Sequence, residues 1–569
     1  MKKYLFSFTL AALFFGITPA HSSGEARQPF NLPPNGYFGL NADPNFLHTF
    51  TAGFLTGHVT KDPSSRPSQI LACKGLDDPA CKDVTFWRSN GIYPQCSTDS
   101  QNDCIEAITA SKDDGTELKV TVAQTFPGAR AQDYVGDENL RLPPGGSSFL
   151  VRIPEAPHAA GDLYLPIVNP SSVMNRTGLV PASSFKGDFN VSLYAVKIVN
   201  GNFGINFAQT DTSYYQSSFW GATTGGQNPE GCIMNDRTVC AVPVEIPMGI
   251  KFGMKIRTSN ELKGWFTGRI SNQEINLDKV SDKKSILTIK GFPVAVPSIY
   301  FIQEKTKFPA SFWKYYESIP KPWGGTGETK LEVQNQDPST WSLIRDMTGY
   351  SQNYMDEFVN FLPITGDKST ASPTLWSLSS IANTNDSNQS CSTSSGGVIG
   401  VVSTNATQYI DGPPTFNPQD QSLNYKVAST HFNEKGEVNK GTYDLAIKAD
   451  EAKCIYGFKG NIVSAKIEIT NESGTNQIAT TTVIQKNGWF YLSAKGFTYS
   501  NPTLKVKFEE EKVVEPQKPA EAIKPAEQVK PAPAPSSSAI NKTITCIKGK
   551  LSKKVSAINP KCPSGYKKK

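Results

Sequence analysis

Carboxylates are the first residues of this chain that could do chemistry. A glycoside hydrolase places one protonated carboxyl and one ionised carboxylate on either side of the bond it breaks. Asp and Glu together number 51, so pairs can be proposed freely, but no spacing singles out one pair. Asp346, Asp356 and Glu357 fall on the polar side of a predicted helix, where we expect solvated charges. Asp113 and Asp114 lie in a run that lacks calcium-loop spacing, so a hairpin turn is favoured.

Signature motifs of other enzyme classes are absent from the sequence. There is no Gly-x-Ser-x-Gly elbow, no His-Glu-x-x-His zinc helix and no phosphate-binding loop. The nearest approach, residues 324–330, lacks the Gly-Lys-Ser/Thr order of such a loop, and we predict a flexible loop instead. His48 and His58 flank an apolar run, but histidines without a patterned acid or cysteine favour ordinary core or surface roles. We therefore predict no catalytic residue, no metal site and no cofactor.

Aromatic clusters are the best sequence candidates for a binding surface. The first cluster precedes a Gly-rich loop and consists of Tyr214, Tyr215, Phe219 and Trp220. The second lies between prolines and includes Trp313 and Tyr315. Flat rings of this kind can bind a sugar or an apolar partner. The alternative is that these rings fill the core or a seam between domains.

Lysines dominate the C-terminal end of the chain. From Asn541 to Lys569 there are nine lysines and no acid, whereas the whole chain carries a net charge of +6. The lysines that we single out are Lys548, Lys550, Lys553, Lys554, Lys567, Lys568 and Lys569. Such a field attracts an anionic partner. We expect a cell-envelope polymer or lipid head groups rather than nucleic acid, because the tail lacks arginines and multiple aromatics. The alternative is that the lysines keep a terminus soluble.

Residues 1–22 have the order of a cleavable secretory signal. Two lysines precede an apolar run from Tyr4 to Ile17, which is too short to span a bilayer. Small residues then allow cleavage after Ala20 or after Ser22, and the sequence does not decide between them. No later stretch reaches membrane-spanning length. We expect a secreted or cell-surface protein.

Ten cysteines in an exported chain predict disulfides. Three pairs each enclose seven residues rich in loop formers, which favours local pairing, and two further cysteines lie alone in the tail. The expected bridges are Cys73–Cys81, Cys96–Cys104, Cys232–Cys240, Cys391–Cys454 and Cys546–Cys562. Zinc is the alternative, but zinc motifs usually enclose two to four residues.

Residues 27–307 show short alternations of apolar and polar residues between turn formers. Phe189 to Val199 and Ile250 to Ile256 are good examples. No amphipathic helix is long enough to supply the crossovers of a parallel sheet, so we predict a mainly β fold built from two or more antiparallel, sandwich-like domains.

Residues 308–379 change to a helical period and predict a short connecting segment between the β domains. Pro309 to Ile319 predicts a short helix. A longer helix should begin at Asp337 and end before Pro363, because apolar residues recur there at steps of three or four. Those residues are Trp341, Ile344, Met347, Tyr350, Tyr354, Phe358 and Phe361.

The β period returns over residues 380–508 and predicts a second sandwich-like module. Residues 509–540 repeat Lys-Pro-Ala and Pro-Ala units that cannot bury a core, so we predict an extended spacer. Residues 541–569 should form a basic tail closed by a disulfide.

Two segments carry a resemblance. The first, 337–508, resembles a β module of exported actinobacterial proteins in three stretches: Gly441 to Leu445, Ala452 to Phe458 and Gly488 to Tyr499. The second, the Lys-rich two-Cys tail, is similar to an appendage on many such proteins. That family has no assigned activity, so the resemblance implies export and a β fold but no catalytic residue. Residues before 308 carry no resemblance.

The sequence favours a secreted or cell-surface, noncatalytic β protein that acts in envelope structure, adhesion or ligand binding. The runner-up is a secreted hydrolase of polysaccharide or another extracellular polymer. The ligand, the oligomeric state and the disulfide connectivity stay open at this point.

Overall fold

The computed structural model describes most of the chain outside its two ends and several loops. The described residues are 33, 36–44, 53–59, 69–128, 134–175, 186–201, 233–235, 238–318, 343–347, 351–381, 397–410, 413–459, 462–470, 476–477, 480–499, 503–510, 542–548, 551–557 and 559–569. Two compact units are present, Met1–Lys512 and Val513–Lys569. The predicted signal at 1–22 lies outside the described residues, as does the predicted spacer after residue 510.

Strands make up most of the first unit. In chain order they are β1 (Tyr37–Ala42), β2 (Phe54–Val59), β3 (Gln69–Ala72), β4 (Phe86–Asn90), β5 (Cys104–Lys112), β6 (Thr121–Phe126), β7 (Ser148–Arg152), β8 (Leu163–Asn175), β9 (Lys186–Asn200), β10 (Met234–Asn235), β11 (Val239–Val244), β12 (Ile250–Thr258), β13 (Gly264–Gly268), β14 (Ile270–Ser281), β15 (Lys284–Ala295), β16 (Ile299–Glu304), β17 (Leu343–Asp346), β18 (Thr374–Leu375), β19 (Ser377–Ser380), β20 (Val398–Thr404), β21 (Gln408–Tyr409), β22 (Thr415–Asn417), β23 (Ser422–Ala428), β24 (Gly441–Lys448), β25 (Ile462–Thr470), β26 (Asn476–Gln477), β27 (Thr480–Lys486), β28 (Trp489–Phe497) and β29 (Thr503–Glu510).

Helices are few. Among the described residues of the first unit, the α-helices are α1 (Ala310–Ser318), α2 (Gln352–Phe361) and α3 (Ala449–Tyr456). The second unit contains β30 (Lys542–Lys548), β31 (Leu551–Ala557) and β32 (Lys567–Lys568). Strands account for 58% and helices for 9% of the structure, which confirms the prediction of a mainly β fold with several antiparallel sheets.

One large sheet crosses the predicted domain boundary. Its main path runs β27-β28-β24-β20-β13-β19-β9-β8-β4-β2-β3. β13 pairs with β19 on one side and with β20 on the other, so strands from before residue 308 and after residue 376 are neighbours. The two predicted β regions, 27–307 and 380–508, therefore contribute neighbouring strands to one sheet. An alternating pattern indicates that a strand has a buried face, but it does not say which strands pair.

A smaller sheet of β14, β15, β12 and β5 packs on the large sheet. Phe252, Met254 and Ile289 from the small sheet share a buried cluster with Phe189 and Val401 from the large one. This face-to-face arrangement is that of a sandwich.

The end of the large sheet at β24 and β28 is covered on both faces. Tyr443, Leu445 and Leu492 point into a second core shared with the sheet of β23, β25 and β29. Successive side chains of a strand alternate between faces. The even-numbered residues of β24 and the odd-numbered residues of β28 from Trp489 to Lys495 therefore face the opposite way, towards β14, where Ala446 and Trp489 join the first core.

The segment predicted to be helical is partly extended. α1 confirms the first predicted helix. The helix predicted from Asp337 is wrong over β17, which pairs in parallel with β1, and α2 begins only at Gln352. Apolar residues at steps of three or four also fit a strand followed by a helix when both bury side chains in one cluster. Met347, directly after β17, and Phe358 on α2 both lie in the aromatic core around Phe38.

Glu357 corrects the expectation of solvated charges on this segment. Its side chain is buried, and its two carboxylate oxygens accept hydrogen bonds of 2.8 and 2.9 Å from Nε and Nη2 of Arg345. Asp356, by contrast, is exposed. The ion pair joins α2 to β17, which is why an acid occupies the buried side of the helix.

Three of the predicted disulfides are present. Cys73–Cys81, Cys96–Cys104 and Cys546–Cys562 have Cα separations of 6.1, 5.0 and 5.6 Å, within the range of unstrained bridges. Cys240 and Cys454 are also disulfide-bonded. Their predicted partners, Cys232 and Cys391, lie outside the described residues. The predicted hairpin turn at Asp113 and Asp114 is confirmed by the antiparallel bridge between Ser111 and Glu117.

Candidate functional site

The predicted aromatic clusters lie in different places. Tyr214, Tyr215, Phe219 and Trp220 are outside the described residues. Trp313 and Tyr315 are half-buried on α1 and pack against the aromatic core. The Trp313 ring lies 5.7 Å from Phe38, and burial raises the pKa of Tyr315 above its ordinary value.

The histidines do not form a metal centre in the part of the chain that is described. Burial, followed by the charge of Arg88, lowers the pKa of His58 to about 4, so this ring is neutral at physiological pH. His431 contacts Asp367 at 3.1 Å. Within the described ranges, no three or more His, Cys, Asp or Glu side chains are placed to hold a metal ion.

The tail unit is a three-stranded antiparallel sheet with β30 at its centre. Cys546 on β30 lies opposite Lys553 on β31 and Lys568 on β32. Directly opposed residues share a face, so these lysines flank the buried cysteine. Lys554 and Lys567 occupy the other face, opposite Thr545 and Ile547.

The lysine side chains of this unit that the structure describes point into solvent. Exposed tail lysines are Lys548, Lys553, Lys554, Lys561, Lys567, Lys568 and Lys569, while Lys550 lies outside the described residues. The tail sequence from Asn541 holds no acid that could neutralise them. The sheet therefore presents positive charge on both faces around a disulfide-closed centre.

A polar cleft in the first unit was missed by the sequence analysis. One wall is the face of β24, β28 and β27 that looks towards β14. Asp444, Ser493 and Thr482 form one cross-strand row of this wall. Two residues away on the same face lie Lys495 and Tyr491. The cleft has a volume of about 430 Å³ and is lined by Lys251, Asn272, Gln273, Glu274, Asp444, Leu445, Thr482, Ile484, Lys486, Tyr491, Leu492, Ser493 and Lys495.

A β-bulge builds the opposite wall. The register between β14 and β15 shifts between Ser271 and Glu274, and Asn272 has a φ of +49°, a conformation that asparagine tolerates better than most residues. The bulge turns Gln273 into the large sheet, where its Nε2 donates to the Val401 carbonyl at 3.0 Å. Bulges commonly redirect side chains next to functional sites.

Ion pairs join the two walls. Glu274 on β14 contacts Lys251 on β12 and, at 3.2 Å, Lys486 on β27. Hydrogen bonds from Lys251, together with the charges of both lysines, lower the pKa of Glu274. Lys495 donates a hydrogen bond of 2.9 Å to the neutral side-chain oxygen of Asn272. Two lysines thus contact the ionised Glu274, and a third lysine of the cleft contacts a neutral side chain.

Asp444 is the buried acid of the cleft, with 3% of its surface exposed. Burial raises the pKa of its carboxyl from 3.8 to about 6, against the opposing effects of Ser493, Lys495 and the Asn272 amide. That amide donates to Oδ1 at 3.4 Å. Oδ2 has no partner in hydrogen-bonding geometry among the described residues, and the Ser493 hydroxyl opposite it on β28 is close enough to favour the ionised carboxylate.

Asp444 leaves one signal in the sequence that could have pointed to the cleft. It is an acid inside the run Tyr443-Asp444-Leu445-Ala446-Ile447, which otherwise fits a strand buried on both faces. Buried carboxylates are rare unless they are paired. The lysines of the cleft carry no such signal, because each lies in an ordinary alternating strand.

In comparisons with known proteins, no family model, no curated protein and no solved structure matches this chain. Among the described residues, no helix is both long and apolar enough to cross a membrane.

Proposed function

We propose that this chain is a secreted or cell-surface, noncatalytic β protein that its basic tail holds to an anionic polymer of the cell envelope. The observation that carries the proposal is the exposure of seven lysines on the acid-free sheet of the tail unit. Unneutralised surface charge attracts polyanions. The disulfides suit an oxidising compartment, and the predicted signal at 1–22 would deliver the chain there.

The test compares the full-length protein with a variant whose sheet is intact but whose tail charge is reduced. Lys553, Lys554, Lys567 and Lys568 are replaced by Gln, which leaves Cys546 and its bridge in place. Retention on isolated cell envelopes is measured at low and at high salt. We expect the variant to be lost at low salt, and the wild type to be released as salt screens charges beyond about 8 Å at physiological ionic strength.

The matched control neutralises four exposed lysines of the first unit, Lys119, Lys368, Lys435 and Lys440. We expect this control to be retained like the wild type. Equal retention of the tail variant and the wild type at low salt would refute the proposal. Retention on anionic lipid vesicles but not on lipid-free wall polymer would replace the polymer by a membrane surface.

Hydrolysis is the second candidate function, and the two acids of the cleft favour it. The pKa of Asp444 is raised to about 6 and that of Glu274 is lowered, the division expected of an acid and its ionised partner. However, Glu274 is engaged by two lysines, and a carboxylate held in this way is a weak base or nucleophile. This is why binding is preferred to catalysis.

New reducing ends released from an extracellular polysaccharide would distinguish hydrolysis from binding. A hydrolase should release them, and both Asp444→Asn and Glu274→Gln should abolish the release. Our proposal expects no release above the background of a heat-denatured sample.

A further inference from the structure

The cleft between β14 and β28 holds polar atoms that the fold leaves without partners. Oδ2 of Asp444 and the hydroxyl of Ser493 lie opposite each other on the sheet face that lines the cleft, buried and without a partner in hydrogen-bonding geometry among the described residues. Buried polar groups are nearly always hydrogen-bonded. The two atoms therefore mark a place where a molecule from outside the chain completes the bonding.

These atoms define part of the ligand. An ionised carboxylate only accepts hydrogen bonds, whereas hydroxyls both donate and accept. The group that meets Asp444 must therefore donate, and the group that meets the Ser493 hydroxyl can do either. Two adjacent alcohol groups satisfy both atoms at once.

The lysines define the charge of the ligand. Glu274 engages Lys251 and Lys486, while Lys495 is bonded to the neutral Asn272 side chain and lies near enough to Asp444 to favour its ionised form. Counting Lys251, Lys486 and Lys495 against Glu274 and Asp444, the cleft is positive even when both acids are ionised. A cationic ligand is disfavoured and an anionic group is attracted.

The remaining surface suits a compact ring. Tyr491 is half-buried in the cleft, and Ile484 beside it is 54% exposed. Together they offer an apolar patch to the C–H face of a sugar. The volume of about 430 Å³ lies within the range of small-molecule sites.

We infer that the cleft binds an acidic sugar unit, with Asp444 accepting hydrogen bonds from its hydroxyls and Lys495 pairing with its carboxylate. This site is separate from the tail, and the inference does not rest on the tail proposal. Extracellular polysaccharides that contain uronic acids would supply such a unit.

Calorimetric titration of the full-length protein tests the inference with three probes: sodium glucuronate, glucose and sodium acetate. Glucose lacks the carboxylate and acetate lacks the hydroxyls. We expect glucuronate to bind saturably and the other two to bind at least about tenfold more weakly, because each loses one set of charge-assisted contacts.

Two variants locate the binding. Asp444→Asn keeps the shape of the side chain but removes its charge, and Lys495→Met removes the ammonium while keeping an apolar stem. Each should weaken glucuronate binding about tenfold or more, as expected for the loss of one charge-assisted hydrogen bond. Lys435→Met, an exposed lysine outside the cleft, should bind like the wild type.

Each contrary result removes a definite part of the inference. Absence of saturable glucuronate binding by the folded wild type overturns it entirely. Equal binding of acetate removes the role of the hydroxyls, and equal binding of glucose removes the role of the lysine. Wild-type affinity in both Asp444→Asn and Lys495→Met moves the site away from this cleft.

Discussion

Replacing Asp444 by Asn should make this protein more stable at neutral pH. The carboxyl is buried, and burial raises its pKa from 3.8 to about 6. An acid whose pKa is higher in the folded than in the unfolded state contributes stability that is fully present below pH 3.8. That contribution is lost as the pH rises through about 6, because the folded state must then hold a buried charge. Asn has nearly the same shape and no charge to bury.

The size of the effect follows from the same two values. The interval between 3.8 and about 6 corresponds to about 3 kcal/mol, at about 1.4 kcal/mol per pKa unit. We therefore expect Asp444→Asn to be about 2 to 3 kcal/mol more stable than the wild type near pH 7, and nearly equal to it near pH 3.5.

Urea unfolding followed by tryptophan fluorescence measures the difference. Trp265 and Trp376 are each 2% exposed, so their emission reports loss of the core. The control is Asp113→Asn in an exposed turn, which we expect to change the free energy of unfolding by no more than about 0.5 kcal/mol.

Two results would refute this reasoning. The first is an Asp444→Asn variant that is less stable than the wild type at neutral pH, which would mean that the protein stabilises the charge. The second is a stability gain that persists unchanged at low pH, because a gain from removing a charge must vanish where the wild-type acid is protonated. A protein that keeps a destabilising buried acid most often does so for function.

Three further changes test other parts of the structure. Glu357→Ala should cost about 3 kcal/mol of unfolding free energy in urea, because it leaves the largely buried guanidinium of Arg345 without its carboxylate. Gly400→Ala should cost about 1 to 3 kcal/mol in the same assay, since the added Cβ would lie 2.4 Å from the Trp265 ring. Cys562→Ser opens the loop of the tail disulfide and should destabilise the tail sheet by about 3 kcal/mol, measured as faster hydrogen exchange of the amides of β30.

Matched controls and contrary outcomes accompany these changes. Asp356→Ala, on the exposed side of α2, should stay within about 0.5 kcal/mol of the wild type, and equal costs at Asp356 and Glu357 would contradict the buried ion pair. Gly75→Ala meets no atom within 4 Å, so a loss as large as that at Gly400 would argue against a steric clash. Unchanged exchange in Cys562→Ser would mean that the sheet does not depend on its bridge.

Individual strands were predictable from the sequence, but their assembly was not. The alternation in Phe189 to Val199 and Ile250 to Ile256 correctly marks parts of β9 and β12, because a half-buried strand repeats every two residues. Nothing in that repeat indicates that β13 pairs with β20, more than 100 residues away. Strand pairing depends on which buried faces fit each other in three dimensions. The alternation within one strand does not indicate which other strand it fits.

The tail and the cleft differ in how they are encoded. The tail is a local feature, since its lysines and both its cysteines lie within residues 541–569, and its bridge was correctly predicted. The cleft draws Lys251, Glu274, Asp444 and Lys495 from four strands. These residues come together only through the bulge at Asn272 and the stacking of two sheets. The helix predicted from Asp337 failed for a related reason, because β1 offers an edge to which β17 pairs.

Along β24 and β28, residues that pack in the core alternate with residues that line the cleft. Odd-numbered residues of β24 and the even-numbered residues of β28 before its register shift fill the core below, while neighbours such as Asp444, Ser493 and Lys495 line the cleft above. Substitutions can therefore accumulate at the positions that line the cleft and change ligand preference with little effect on the core. A library that randomises the cleft-facing positions alone should yield folded proteins with new specificities. The insertion of a single residue in either strand would exchange the two sets and remove both the core and the cleft.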